Sequence, residues 1–166
     1  MNSSLEHQKT RFEYIGISLA IALVTLTIYL ALRNRYIRQP QSLPIEASII
    51  VGDKPLRLEV AKTEQQQAYG LKYRSNLAED WGMLFQLPRP QKVAIWMQDV
   101  RFPLDIIFIR GDRIISIVAN APPCPDWSCP LYTSDLAIDQ VLEVNAGLAI
   151  QAKLQVGDLL PVNSQK

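Results

Sequence analysis

The chain has 166 residues, 48% of them hydrophobic and 20% charged, with a formal net charge of +1. That balance argues against a nucleic-acid binder, which needs a basic excess, and against a disordered tail, which combines low hydrophobicity with high net charge. The charge is unevenly placed: residues 1–40 carry five basic and two acidic side chains, residues 41–166 twelve and fourteen, so basic character belongs to the N-terminal arm.

Residues 1–13 form a flank, followed over 14–32 by nineteen uncharged residues, YIGISLAIALVTLTIYLAL. As a helix at about 1.5 Å per residue this run spans roughly 28 Å, close to the ~30 Å hydrocarbon core of a bilayer. Tyr14 and Tyr29 stand near its ends, where amphipathic rings favour the interface. A transmembrane helix is expected, with the membrane as its partner. A cleavable signal peptide is the competing reading, with Lys9 and Arg11 as its basic start, but the run is long for one and no small-residue cleavage site follows Leu32. Arg33, Arg35 and Arg38 beyond the helix outnumber Lys9 and Arg11 before it, which would put the C-terminal part in the cytoplasm, against what the cysteines below suggest. Residues 33–44, with Gln39-Pro40-Gln41-Ser42-Leu43-Pro44, read as an extended linker.

Residues 45–162 are long enough for one core, and 163–166 are a tail. Ala47–Val51 and Leu56–Val60 flank the turn Gly52-Asp53-Lys54-Pro55, a hairpin in which Leu56, Leu58 and Val60 face the core and Arg57 and Glu59 face water. Thr63-Glu64-Gln65-Gln66 is a capping-box pattern, predicting a helix of two to three turns that ends near Gly70. Met83–Leu87 and Lys92–Gln98 read as strands, separated by Pro88-Arg89-Pro90. Asp105–Arg110 and Arg113–Val118 flank Gly111-Asp112 and form a tight hairpin, whose apolar arms predict a central position. Ala137–Val144 predicts a strand, Ala146–Leu154 a short helix, and Val156–Leu160 a turn and last strand. Seven or so short strands with two small helices indicate a mainly β domain, a sandwich or barrel, with no long helix to serve a parallel crossover.

Chemistry is restricted by the single histidine, His7, which precedes the apolar run. A spanning helix would place it across the bilayer from the domain, removing Ser-His-Asp, Cys-His and histidine-metal sites. No phosphate-binding glycine loop or dinucleotide fingerprint is present, and no metal or cofactor is expected. Cys124 and Cys129 lie in PPCPDWSCP. A zinc site wants four ligands and the redox motif wants CxxC, so a local disulfide is the preferred reading over a reduced pair. Disulfides belong to oxidising compartments, which points to an extracytoplasmic, periplasmic domain.

Several segments together resemble a known family. They are Gly70-Leu71 with Arg74, Gly82-Met83-Leu84-Phe85, Trp96-Met97, Pro103 to Ile109, Asn120 to Cys124, Cys129-Pro130-Leu131-Tyr132, Val141-Leu142-Glu143, Ala146-Gly147 and Val156-Gly157-Asp158. In this order, from about Leu58 to Leu160, they resemble the domain-of-unknown-function family 192, also called uncharacterised protein family 0127. The resemblance implies a mainly β, jelly-roll-like β-sandwich with two short helices behind an N-terminal signal or membrane segment; it implies no activity. Two departures stand out: Lys72 where the family often has Met, and Gln98-Asp99-Val100 where it often has Lys-Asn-Thr. If that Asn-Thr pair helps to form a polar site, Asp99-Val100 alters it.

The candidate site residues are Arg74, Trp96, Met97, Asp105 and Tyr132. Asp105 opens an apolar strand, either as an acid/base or ligand group or as a loop cap that accepts backbone N–H bonds. Arg74 is suited to bidentate anion binding, or to an ion pair with Glu79, Asp80 or Asp105. Trp96 and Met97 alternate, so one packs in the core and the other is available to a pocket, unless both pack. Met83 reads as core, and Cu(I) binding by Met83, Met97 and the thiols is a remote alternative. Tyr132 and Trp127, at and inside the cysteine loop, suit a recognition surface or a cover for the sheet end. Glu143 interrupts the apolar strand Val141-Leu142-Glu143-Val144, shares the face of Val141 by alternation, and is a second carboxylate candidate, with a solvated strand face as the preferred reading. The expected function is a membrane-anchored extracytoplasmic binding or interaction module. The alternative is a carboxylate-based enzyme acting on a carbohydrate or envelope component, with Asp105 and Arg74 converging in one pocket.

Overall fold

The computed structural model describes residues 3–124 and 128–164, with side chains over 16–33, 38–124 and 128–163. The chain divides into two compact units, Met1–Gln39 and Pro40–Lys166. The first is one helix, α1 (Ser3–Ile37), which continues beyond both ends of the uncharged run. Its stretch Gly16–Arg33 is long and apolar enough to cross a membrane, and none of it is buried. Thr25 and Thr27 donate their hydroxyls to the carbonyls of Ala22 (2.9 Å) and Val24 (2.8 Å), so the helix satisfies these polar groups internally, as apolar surroundings demand.

The second unit is mainly β. Its strands are β1 (Ile45–Val51), β2 (Lys54–Ala61), β3 (Trp81–Gln91), β4 (Ala94–Ile95), β5 (Leu104–Arg110), β6 (Arg113–Ala121), β7 (Tyr132–Thr133), β8 (Ile138–Asn145) and β9 (Asn163–Ser164). Two short helices join them, α2 (Glu64–Tyr69) and α3 (Leu148–Gln151). Seven strands form one sheet in the order β6-β5-β8-β3-β2-β1-β9, and β4 pairs with β7 in a second, two-stranded sheet. The strands therefore do not divide into the two comparable facing sheets of the expected jelly roll.

The large sheet is curled. Leu159 pairs with Arg113 at the outer edge of β6, and Asn163 of β9 pairs with Ser48 of β1. Four residues reach at most about 14 Å, whereas the strand spacings between these two positions would add up to roughly 34 Å in a flat sheet. The sheet must close most of the way round, as a barrel does. Its inner face holds Ile49, Leu56, Leu58, Leu84, Ile107, Leu142 and their neighbours; α3 contributes Leu148. Its outer face carries a second cluster with Met83, Phe85, Ile106, Phe108 and Val141, against which Leu71, Met97 and Val100 pack. Because both faces are covered, β5 is buried at six consecutive positions, Leu104 to Ile109, which is why it reads as a continuous apolar run.

Most expected elements are present, with shifted bounds. The capping box forms as the spacing predicts, with Thr63 Oγ1 accepting from Gln66 N and the Gln66 side chain accepting from Thr63 N, and Gly70 ends α2 with φ 51°. The helix has six residues rather than two to three turns. The strand expected over Lys92–Gln98 contracts to β4, and the one expected over Val156–Leu160 is only a bridge to β6, the last strand being β9. The β5–β6 hairpin forms, but β6 is an edge strand of the sheet. The largest departure is β2 pairing with β3 in parallel. No long helix is needed there: residues 62–80, with the single short helix α2, supply the dozen or more residues such a crossover requires.

Candidate functional site

Alternation along four adjacent strands places four side chains in a row on the outer face: Ile106 of β5 opposite Glu143 of β8, Glu143 opposite Met83 of β3, and Met83 opposite Glu59 of β2. Two buried carboxylates thus share this face, where the sequence suggested solvated ones. Their surroundings differ. Glu59, 1% exposed, accepts two bonds from Arg74, Nη1 to Oε1 at 2.8 Å and Nη2 to Oε2 at 2.6 Å, and a third from Leu43 N at 2.8 Å. Arg74 also donates to the Gln41 carbonyl at 2.7 Å. This bidentate fork straps the linker and the loop after α2 to the sheet. It uses the guanidinium that anion binding would require, and the partner is neither Glu79, Asp80 nor Asp105; Asp80 pairs instead with Arg57 at 2.6 Å.

Glu143 is 5% exposed and meets neither a cation nor a hydrogen-bond donor for its carboxyl among the described residues. Burial without compensation pushes its pKa up from the ordinary 4.5 to about 8. It lines a cleft of about 310 Å³ between α2 with its following turn and the segment 91–100. Phe85, Val141, Leu71 and Val100 make the apolar walls, with Gln67, Tyr69 and Lys72 on one side and Ile95 and Trp96 on the other. Trp96 is 49% exposed, so it stands at the mouth while Glu143 lies at the inner end. The Lys72 ammonium sits 5.4 Å from the centre of the Trp96 ring, a cation–π contact across the opening.

The two flanking loops are tied together. Tyr73 and Asp99 both adopt left-handed backbone, at φ 64° and 61°, a costly conformation for a bulky residue such as tyrosine. Tyr73 N donates to the Asp99 carbonyl at 2.9 Å and its hydroxyl to Asp99 Oδ2 at 3.1 Å. Cys124 and Cys129 form the expected disulfide, and Cys124 bridges Gln98 and accepts from Asp99 N at 3.2 Å, bracing the same loop. Both departures from the family pattern fall here: Lys72 covers Trp96, while Asp99 holds Tyr73 and Val100 lines the cleft.

Of Arg74, Trp96, Met97, Asp105 and Tyr132, Trp96 alone lines this cleft. Met97 is fully buried in the outer cluster, as is Met83, and the joined cysteines offer no thiolate, so the sulfur set considered for copper is not assembled. Tyr132 packs against the same cluster while pairing with Ile95, covering the sheet rather than standing free. Trp127 lies outside the described residues. Asp105 faces the inner side, opposite Val144, and its oxygens accept from Asn120 N (2.9 Å) and Ala149 N (2.8 Å). Asp105 and Arg74 lie on opposite faces of the sheet, so the pocket in which they were expected to converge does not exist. Glu143, the second carboxylate candidate, is the acid that lines the cleft, and the solvated strand face preferred for it is not what forms; its signal was a carboxylate inside the apolar run Val141-Leu142-Glu143-Val144.

A curled mixed sheet with an outer-face cleft around one uncompensated acid defines the domain as a small mainly β protein with a ligand-sized hollow. The chain belongs to the DUF192 family, described as uncharacterized ACR, whose model matches residues 47–162. No curated protein matches it. Among solved structures it is similar to a proposed transcription regulator from Sinorhizobium meliloti 1021, with 32% identity and TM-score 0.66 over 75% of this chain and 98% of that one. It is also similar to a protein of unknown function from Novosphingobium aromaticivorans DSM 12444, with 30% identity and TM-score 0.63 over 74% of this chain and 92% of that one.

Proposed function

We propose that the protein is a membrane-anchored, extracytoplasmic binding module whose ligand occupies the Glu143 cleft. The observation that carries this reading is a buried carboxyl with no protein partner among the described residues, lining a cleft whose walls include Leu71, Phe85, Val100 and Val141. Buried polar groups are satisfied in nearly all native structures, so an orphan in a cleft marks a place where a ligand completes the bonding. The walls stand on β3 and β8 and on loops braced by the disulfide and the Tyr73–Asp99 tie, a rigid setting that lowers the ordering cost of binding. The apolar stretch of α1 supports the anchor, and the disulfide supports an oxidising compartment. The regulator description of the Sinorhizobium protein is not carried over, because residues 41–166 are net acidic and suit a nucleic acid poorly.

Thermal unfolding of the full chain in detergent, screened against small amphipathic compounds, tests the ligand site. Hits should raise the Tm of the wild type, fail on an Ala68→Trp variant that fills the cleft, and persist on an Ile150→Ala variant away from it. Hits indifferent to Ala68→Trp would refute the site. Labelling of intact cells with an impermeant thiol reagent, before and after mild reduction, tests the placement: the cysteines should react only after reduction.

A further inference from the structure

We infer that the Glu143 cleft takes a small uncharged molecule with an apolar body and a carbonyl oxygen, which accepts a hydrogen bond from the Glu143 carboxylic acid. This rests on the cleft being a ligand site and goes further, to the chemistry of what enters. At about 30 Å³ per water-sized group, 310 Å³ accommodates roughly ten non-hydrogen atoms. Leu71, Phe85, Leu87, Val100 and Val141 give most of the wall an aliphatic or aromatic surface, so the body of the ligand is apolar, while Gln67, Lys72 and Gln91 add polar groups.

The polarity of the head follows from the charges around Glu143. Facing it from α2 and the next turn are Tyr69 and Lys72. The flanking strands β3 and β5 place Met83 and Ile106 opposite it, neither of which titrates. Beyond Met83, Glu59 is already neutralised by Arg74, and Asp99 of the facing loop is engaged by Tyr73. Among the described residues, Lys72 is thus the one side-chain cation lining the cleft, and it stands at the mouth. An alkylamine, itself an ammonium ion at neutral pH, would have to pass the Lys72 ammonium and then form its ion pair only as Glu143 released its proton to solvent. A carbonyl needs neither step: the acid supplies one O–H donor, and the amide or ester oxygen accepts it. The buried carboxyl keeps its proton up to about pH 8, so this donor is present at neutral pH.

Two probes of matched size separate the possibilities, 3-phenylpropionamide and 3-phenylpropylamine, titrated calorimetrically into the full chain in detergent with empty micelles as blank. At about pH 6.5 the amide should bind at least about tenfold more tightly than the amine, the equivalent of one hydrogen bond. At about pH 9.5, above the Glu143 value, amide affinity should fall about tenfold. Glu143→Gln, whose amide N–H₂ is a donor at any pH, should retain amide binding and lose its pH dependence; circular dichroism at both pH values confirms that each protein is folded. Preferential binding of the amine, or a wild-type affinity for the amide that ignores pH, overturns the inference while leaving the cleft as a ligand site. Failure of both probes at millimolar concentration overturns the cleft reading itself.

Discussion

On the inner face of the curled sheet, the buried carboxylate of Asp105 is fully engaged, one oxygen on Asn120 N and the other on Ala149 N, and it fastens the end of β6 and the start of α3 to β5. On the outer face, the carboxyl of Glu143 is buried almost as deeply and has no ion pair or hydrogen-bond donor among the described residues. Glu59, one strand beyond Met83, lies between these extremes, compensated by an arginine brought in from the loop after α2. The contrast separates architecture from function. A buried acid that is already satisfied serves the fold, whereas one without a protein partner costs stability, and on the reading proposed above that cost is offset when a ligand binds.

The largest expected effect tests the unsatisfied acid. Between about pH 4.5 and 8 the folded chain keeps the Glu143 proton that the unfolded chain has released. The unfolded state then binds fewer protons, so stability falls as pH rises through this window, by about 1.4 kcal/mol per pH unit. The accumulated loss is on the order of 5 kcal/mol at pH 8 and absent below about pH 4.5. Glu143→Gln should remove this component, seen as a urea midpoint that diverges from wild type as pH rises; parallel midpoints in the two proteins would show that Glu143 is compensated after all. Next comes the paired acid. Arg74→Met should cost about 3–5 kcal/mol, because Glu59 stays buried without its counter-charge, and the double variant with Glu59→Leu should recover most of that in the same denaturation assay. A double variant no more stable than Arg74→Met would mean that Arg74 matters chiefly through Gln41. The smallest effect falls on the satisfied acid. Asp105→Ala orphans two backbone N–H groups and should cost about 3 kcal/mol, with faster hydrogen exchange confined to Asn120 and Ala149. A loss of ligand binding disproportionate to that local loosening would break the contrast between the two faces.

The sequence carries the local parts of this account. Thr63 and Gln66 reach each other within one turn, so the start of α2 is legible; Gly111-Asp112 between two β-branched runs is sufficient for the β5–β6 hairpin. Leu56, Leu58 and Val60 alternate as read, and all are buried. The same alternation places Glu59 and Glu143 correctly on the opposite face. Whether that face meets water is not a local property: it depends on α2 and the segments 71–77 and 93–102 lying over it, across separations that periodicity does not register. The acids were therefore read as solvated although their direction was right.

Composition, the uncharged run over 14–32, the two close cysteines and the ordered family segments determine by themselves a chain with an apolar N-terminal helix, a local disulfide and a mainly β domain of this family. Those features rest on covalent neighbours and short-range periodicity. Tertiary structure alone decided that β2 and β3 run parallel, that the sheet curls until its ends are bridged by residues 159–163, and which of three buried acids was left without a partner. Partnership is settled by groups distant in the chain, Leu43 and Arg74 for Glu59, Asn120 and Ala149 for Asp105. A carboxyl's chemistry follows from what surrounds it in space, and that is decided only when the whole chain has packed.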